Sequence, residues 1–329
     1  MIRTISYKNK PTIIGASAVA GPKESNGAIG KYIDYRLKND MFDENTFEKA
    51  ETKMLYFAIK NAIKCAKLKE NEINAVLSGD LLNQIIASTF SARSFQFGYL
   101  GLYNACATFC ESVIIGGLLT DGNHFSNVVC GTSSHFSSAE RQYRYPLELG
   151  STRPPLSQWT VTGAGALVLS NKGNGVKLVQ ATVGRVVDFG VSDVNNMGAA
   201  MAPSAVNTLL TFFADTGKKP SDFDLILTGD LGTFGSRIFK DLLWEKGFDV
   251  EKQHVDCGEL IFNICEDEYQ GGSGAGCSSV VFCSYFYKKM LEKKYKKVIL
   301  IATGALLSSV SSQQGESIPG VSHLISLEI

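Results

Sequence analysis

Residues 54–80 (MLYFAIKNAIKCAKLKENEINAVLSGD) place apolar side chains at spacings of three and four, then a polar turn, then a short apolar run ending in Gly-Asp. That order predicts an amphipathic helix followed by a strand. Residues 204–230 (SAVNTLLTFFADTGKKPSDFDLILTGD) repeat the pattern 150 positions later without a gap, so Ala75–Asp80 matches Leu225–Asp230. A second matched pair follows. Cys106 opens a helix that is apolar nearly all round, with the strand 128–131 after it, and Cys277 opens another, with 299–302 after it. These lie 171 positions apart, which predicts about 21 extra residues in the second half, around Trp244 to Tyr269. The first half has its own insertion from Ser133 to Trp159, rich in aromatics and arginines and ending in Arg153-Pro154-Pro155.

Each half opens on a strand (12–19, 176–183) and closes on one (166–170, 324–328). The reading is α/β, with halves 1–171 and 172–329, in five layers α-β-α-β-α. Amphipathic helices at 51–67 and 202–216 cover the outer faces, and the apolar helices lie side by side between two mixed sheets. No Pro/Gly/Ser linker near 171–176 favours two independent domains.

The 329 residues contain 44% hydrophobic and 19% charged residues, enough for a large core. Lys+Arg and Asp+Glu both total 32, so a partner held by phosphate neutralisation, such as nucleic acid, is a poor expectation. The polar start and the absence of 18 uninterrupted apolar residues predict neither a secretory signal nor a membrane span. Eight cysteines without a CxxC pair predict reduced thiols. The lysines from Lys288 to Lys297 read as a solvated helix end, with contact to anionic lipid as the alternative.

A duplicated chain with cysteine at the start of a buried helix resembles the thiolase-like superfamily, and Asn104-Ala105-Cys106-Ala107 is similar to its 3-oxoacyl synthase III branch. More specifically, the segments 11–30, 101–112, 153–170, 190–205 and 271–282 resemble the stage V sporulation protein AD family. That resemblance implies a thiolase-like fold and a ligand, dipicolinic acid, taken up alone or as its calcium chelate, with no cofactor. It further implies membrane-embedded sporulation proteins as partners and a peripheral position at the spore inner membrane. The superfamily adds a possible homodimer.

The synthases complete their site with a His just after the strand at 225–229 and an Asn before the second buried helix. Here those places hold Gly229-Asp230-Leu231 and Gly271-Gly272-Ser273-Gly274, so the expectation is binding without catalysis. The alternative is an acyltransferase or 3-oxoacyl synthase using Cys106. Binding is expected between the two helix starts, at Cys106 and at Gly272 and Ser273, where backbone N–H groups without intrahelical partners attract anions. Asp80 and Asp230, at equivalent strand ends, are candidates for calcium or for orienting basic partners, or are simple turn caps. Arg153 is a candidate for a ligand carboxylate or a loop anchor. His135 is a candidate contact or a structural histidine.

Overall fold

The Phe47–Cys65 helix buries one face, from Ala50 through Ile63, and is capped by Thr46, whose hydroxyl accepts from Lys49 N. Its counterpart, Met197–Thr216, buries Ala200, Met201, Ala205, Leu209 and Phe212, and ends at Gly217 in the left-handed region. The two begin 150 positions apart, as do the strands Ala75–Gly79 and Leu225–Thr228 that follow them. A computed structural model describes residues 2–144, 153–262 and 269–329. The centres of both insertions, 145–152 and 263–268, lie outside the described residues.

The first-half strands run in the order Gly98–Gly101, Ala75–Gly79, Asn127–Ser134, Gly163–Ser170, Thr12–Ala20. The second half repeats this as His254–Asp256, Leu225–Thr228, Lys297–Ala305, Gly320–Glu328, Val176–Thr182. In each, the first three strands are parallel and the last two antiparallel to their neighbours. The strands Gly98–Gly101 and His254–Asp256 were not expected, because both are short and carry glycine or charge instead of a β-branched run. The expectation of two separate sheets also needs correction. Thr12 and Ile13 pair with Lys177 and Val176, which joins the halves into one hydrogen-bonded sheet.

The Thr108–Asp121 helix lies against strands of both halves. The second buried rod, Ala275–Val281 continued by a π-helical turn at Phe282–Phe286 and by Tyr287–Leu291, packs on first-half strands. Gly116, Gly117 and Gly165 permit this closeness; a Cβ on Gly165 would lie 2.3 Å from the Ser279 backbone. The Met197–Thr216 helix is long and apolar enough to cross a membrane, but most of it is buried against the second-half sheet.

Candidate functional site

Parallel strands leave their ligand-facing crevice at their C-terminal ends, and here the ends from both halves converge on one cavity of about 470 Å³. Ala105 sits at φ 49°, a left-handed conformation unusual for alanine, and turns Cys106 toward that cavity just before the Thr108–Asp121 helix. On the facing side, Trp159–Thr160 pairs in parallel with Gly272–Ser273, so the first-half insertion clamps the approach to the second buried helix. Gly274, at φ 111°, completes that turn. Cys106, Thr160, Ser273 and Gly274 line one wall. Met197, Leu307 and Val310 supply an apolar wall, and Tyr103, Gln142, Tyr143 and Arg144 close the rim.

Asp230 sits behind the Cys106 wall. Its Oδ1 accepts from Thr303 Oγ1 at 2.6 Å, and its Oδ2 from Ser273 Oγ at 2.9 Å and Gly274 N at 3.0 Å. The Cys106 thiol is close enough to feel its charge. Burial raises the Asp230 carboxyl above its usual range. Burial, followed by that adjacent carboxylate, holds the Cys106 thiol well above the ordinary cysteine value. A nucleophile needs the opposite shift. His323 does not supply a base. Its Nε2 lies 2.7 Å from the Asn104 carboxamide, its Nδ1 accepts from Gly184 N, and burial brings its pKa down to about 4.

The helix starts are less open to an anion than the sequence suggests. Gly274 N is on Asp230, Gly276 N on Ser134 Oγ at 3.1 Å, and Ala107 N and Thr108 N on carbonyls of their own turn. Among the residues lining the cavity, the buried donors without a partner are on Arg144. This residue follows the helix Phe136–Tyr143, pairs through Nη1 with Glu140, and leaves Nε and Nη2 buried without a partner while lining the cavity. Its side chain is only 4% exposed, and burial lowers its pKa. Sequence reasoning missed it. The available signal was a third arginine beside Arg141 and Arg153 in the insertion, where no periodicity marks orientation.

Four candidates stand away from the cavity. Asp80 spends Oδ1 on Leu82 N at 2.8 Å and Oδ2 on Ser88 N at 2.7 Å, which makes it a turn cap. Asp80 and Asp230 therefore do not converge on a cation, and among the described residues no group of three or more His, Cys, Asp or Glu could hold a metal. His135 caps the helix Phe136–Tyr143; its Nδ1 accepts from Ser137 N and its Nε2 donates to Asp40 O. Arg153 donates to Glu140 and Gln158 O, and its guanidinium stands 5.3 Å and 5.1 Å from the stacked rings of Phe136 and Trp159. It anchors the insertion. Gly272 lies beside the lining, packed against Ile261 and Val161. Cys277 and Cys283 are fully buried, and the seven described cysteines are free thiols.

The fold is shared with acyl-processing enzymes at low identity. The 3-oxoacyl-[acyl-carrier-protein] synthase III of Aquifex aeolicus superposes with a TM-score of 0.59 at 15% identity, covering 97% of this chain and all of that one. Xanthomonas campestris OleA with bound lauric acid and lauroyl-CoA gives 0.63 at 13% identity, covering 97% and 99%. In sequence, the chain is 40% identical to the stage V sporulation protein AD of Bacillus subtilis over 326 residues, 99% of this chain and 96% of that protein. The family model described as Stage V sporulation protein AD matches residues 2–328, and the chain belongs to that family.

Proposed function

We propose that the cavity binds dipicolinate, alone or as its calcium chelate, without turning it over, and that the chain is the recognition subunit of a complex with membrane-embedded sporulation proteins. Arg144 carries this reading. A guanidinium with two buried, unpartnered N–H groups on a cavity wall needs an anion, and its planar fork matches a carboxylate with two parallel bonds. The apolar wall suits a pyridine ring, and the volume falls in the usual range for small-ligand sites. Calcium then arrives in the chelate, because the aspartates near the site are committed to local donors. Membrane contact is made peripherally. The strand Gly98–Gly101, paired along one side only among the described residues, is the proposed edge for a homodimer.

Acyl transfer through Cys106 is the second reading, favoured by the left-handed Ala105 that presents the thiol to the cavity. One pair of experiments separates them. Calorimetric titration with dipicolinate, with and without calcium and against pyridine-2-carboxylate, is expected to give saturable binding to the dicarboxylate. Incubation with acyl-CoA followed by intact mass is expected to give no adduct. An adduct that disappears in Cys106→Ser, with no heat at millimolar dipicolinate, would replace the binding reading with the transferase.

A further inference from the structure

We propose that the end of the molecule opposite the cavity is a docking surface for an anionic lipid bilayer. This is independent of which ligand the cavity holds. Strand register defines that end. Thr12 lies opposite Ser170 and Lys177, Lys177 opposite Glu328, and Glu328 opposite Lys297. The strand that starts at Lys297 ends at Ala305 in the cavity wall, so the two faces are separated by its full length, about 26 Å.

Lysines crowd this rim from four directions. Lys8 and Lys10 lead into the first strand, and Lys172 and Lys177 flank the turn between the halves. Lys293, Lys294, Lys296 and Lys297 form the turn after the second buried rod. Lys64, Lys67 and Lys69 come from the end of the outer helix, which Gly15 holds against the sheet at Ala66. All are exposed, and among the described residues none of them forms an ion pair. Three carboxylates at this end are turned onto backbone amides, Glu292 pairs with Lys289 outside this set, and Glu328 lies between Lys177 and Lys297 in the sheet. Asp121 accepts from Lys8 N and Asn9 N, Asp224 from Lys296 N and Lys297 N, and Glu72 from Lys69 N. Eleven exposed lysines without an ion pair among the described residues thus gather at this end, with Lys294 over the Tyr295 ring, while the chain as a whole is neutral.

Two features favour lipid over nucleic acid. Leu118 and Leu291, near the C-terminal ends of the two buried rods, are each 45% exposed beside these lysines, as an interfacial surface requires. The other is that no arginine stands among these lysines to read a base edge.

The test is co-sedimentation of the full chain with vesicles of phosphatidylcholine alone or with one quarter phosphatidylglycerol. Pelleting is expected only with the anionic vesicles and is reversed by high salt. Replacing Lys293, Lys294, Lys296 and Lys297 together by Ala should lower the partition coefficient on the order of 100-fold or more, at about fivefold per lysine. Replacing Arg36, Lys38, Lys49 and Arg237, at the cavity end, by Ala should leave it unchanged. The proposal is overturned by equal binding to both vesicle types, by absence of pelleting, by equal loss in both variants, or by binding to duplex DNA as tight as to the anionic vesicles.

Discussion

Arg144→Ala tests the site most directly, because the structure sets both its expected size and its control. Nη1 is held by Glu140 while Nε and Nη2, the two nitrogens along one edge of the guanidinium, have no partner. A carboxylate accepting both gains two charge-assisted bonds, each worth about 1.5–3 kcal/mol net. Removing the side chain forfeits them, but it also removes the standing cost of two buried N–H groups, and Glu140 keeps Arg153 at 3.0 Å. The expected loss is therefore about 3 kcal/mol of binding, on the order of 100-fold in Kd, with little change in Tm. Arg144→Lys keeps the charge without the fork and should lose about tenfold. Arg153→Ala is the internal control. Its Nη1 and Nη2 are spent on Glu140 and Gln158 O, its plane stands by the Phe136–Trp159 stack, and it does not line the cavity, so its loss should lower Tm and leave Kd within a few fold. Titration calorimetry with dipicolinate at fixed salt, beside thermal melts, reads both quantities. Folded Arg144→Ala that binds within threefold of the parent protein would refute the assignment of the carboxylate to this residue.

The remaining predictions concern reactivity, backbone and pH. Cys106, with its thiol held protonated by burial and Asp230, should alkylate with iodoacetamide at neutral pH more slowly than exposed Cys65, and Asp230→Asn should speed it; peptide mass mapping reads both. Gly274→Ala must place a Cβ 2.7 Å from Ser134 Oγ at φ 111°, so Tm should fall with a loss of at least about 2 kcal/mol in chemical denaturation. Burial raises Glu24 and Asp256 to about 7 and Glu51 to about 8, so the folded state keeps protons that the unfolded chain has released. Stability should therefore fall as pH rises from about 6.5 to 8. Buried His254 and His323, at about 3 and 4, act in the opposite sense only below their unfolded value near 6.5. Glu51→Gln should flatten the decline in a series of denaturant titrations.

Periodicity located the layers because the forces involved are local or act on whole faces. The helix at 47–65 and the helix at 197–216 are each amphipathic over several turns, and the buried rods lack a polar face, so burial follows from spacing alone. The site followed a different logic. Asp80 and Asp230 end the same motif on equivalent strands, yet only Asp230 reaches the cysteine wall. In the first half, Asp80 must itself satisfy the amides of the turn that follows, at Leu82 and Ser88. In the second half, Asp256 arrives from the neighbouring strand and takes the amide of Gly232, the equivalent of Leu82, together with that of Leu231, which releases Asp230 toward Ser273 and Thr303. The same long-range exchange disarms the helix starts: Gly276 N is met by Ser134, 142 positions earlier in the chain. With those donors satisfied, Arg144 is the cavity-lining residue that keeps buried donors without a partner, and its place in an aperiodic insertion is what hid it from the sequence. Both halves carry the same strand ends, and the loss of symmetry at one aspartate pair is what places the second of them behind the cavity wall, bonded to Ser273 and Gly274.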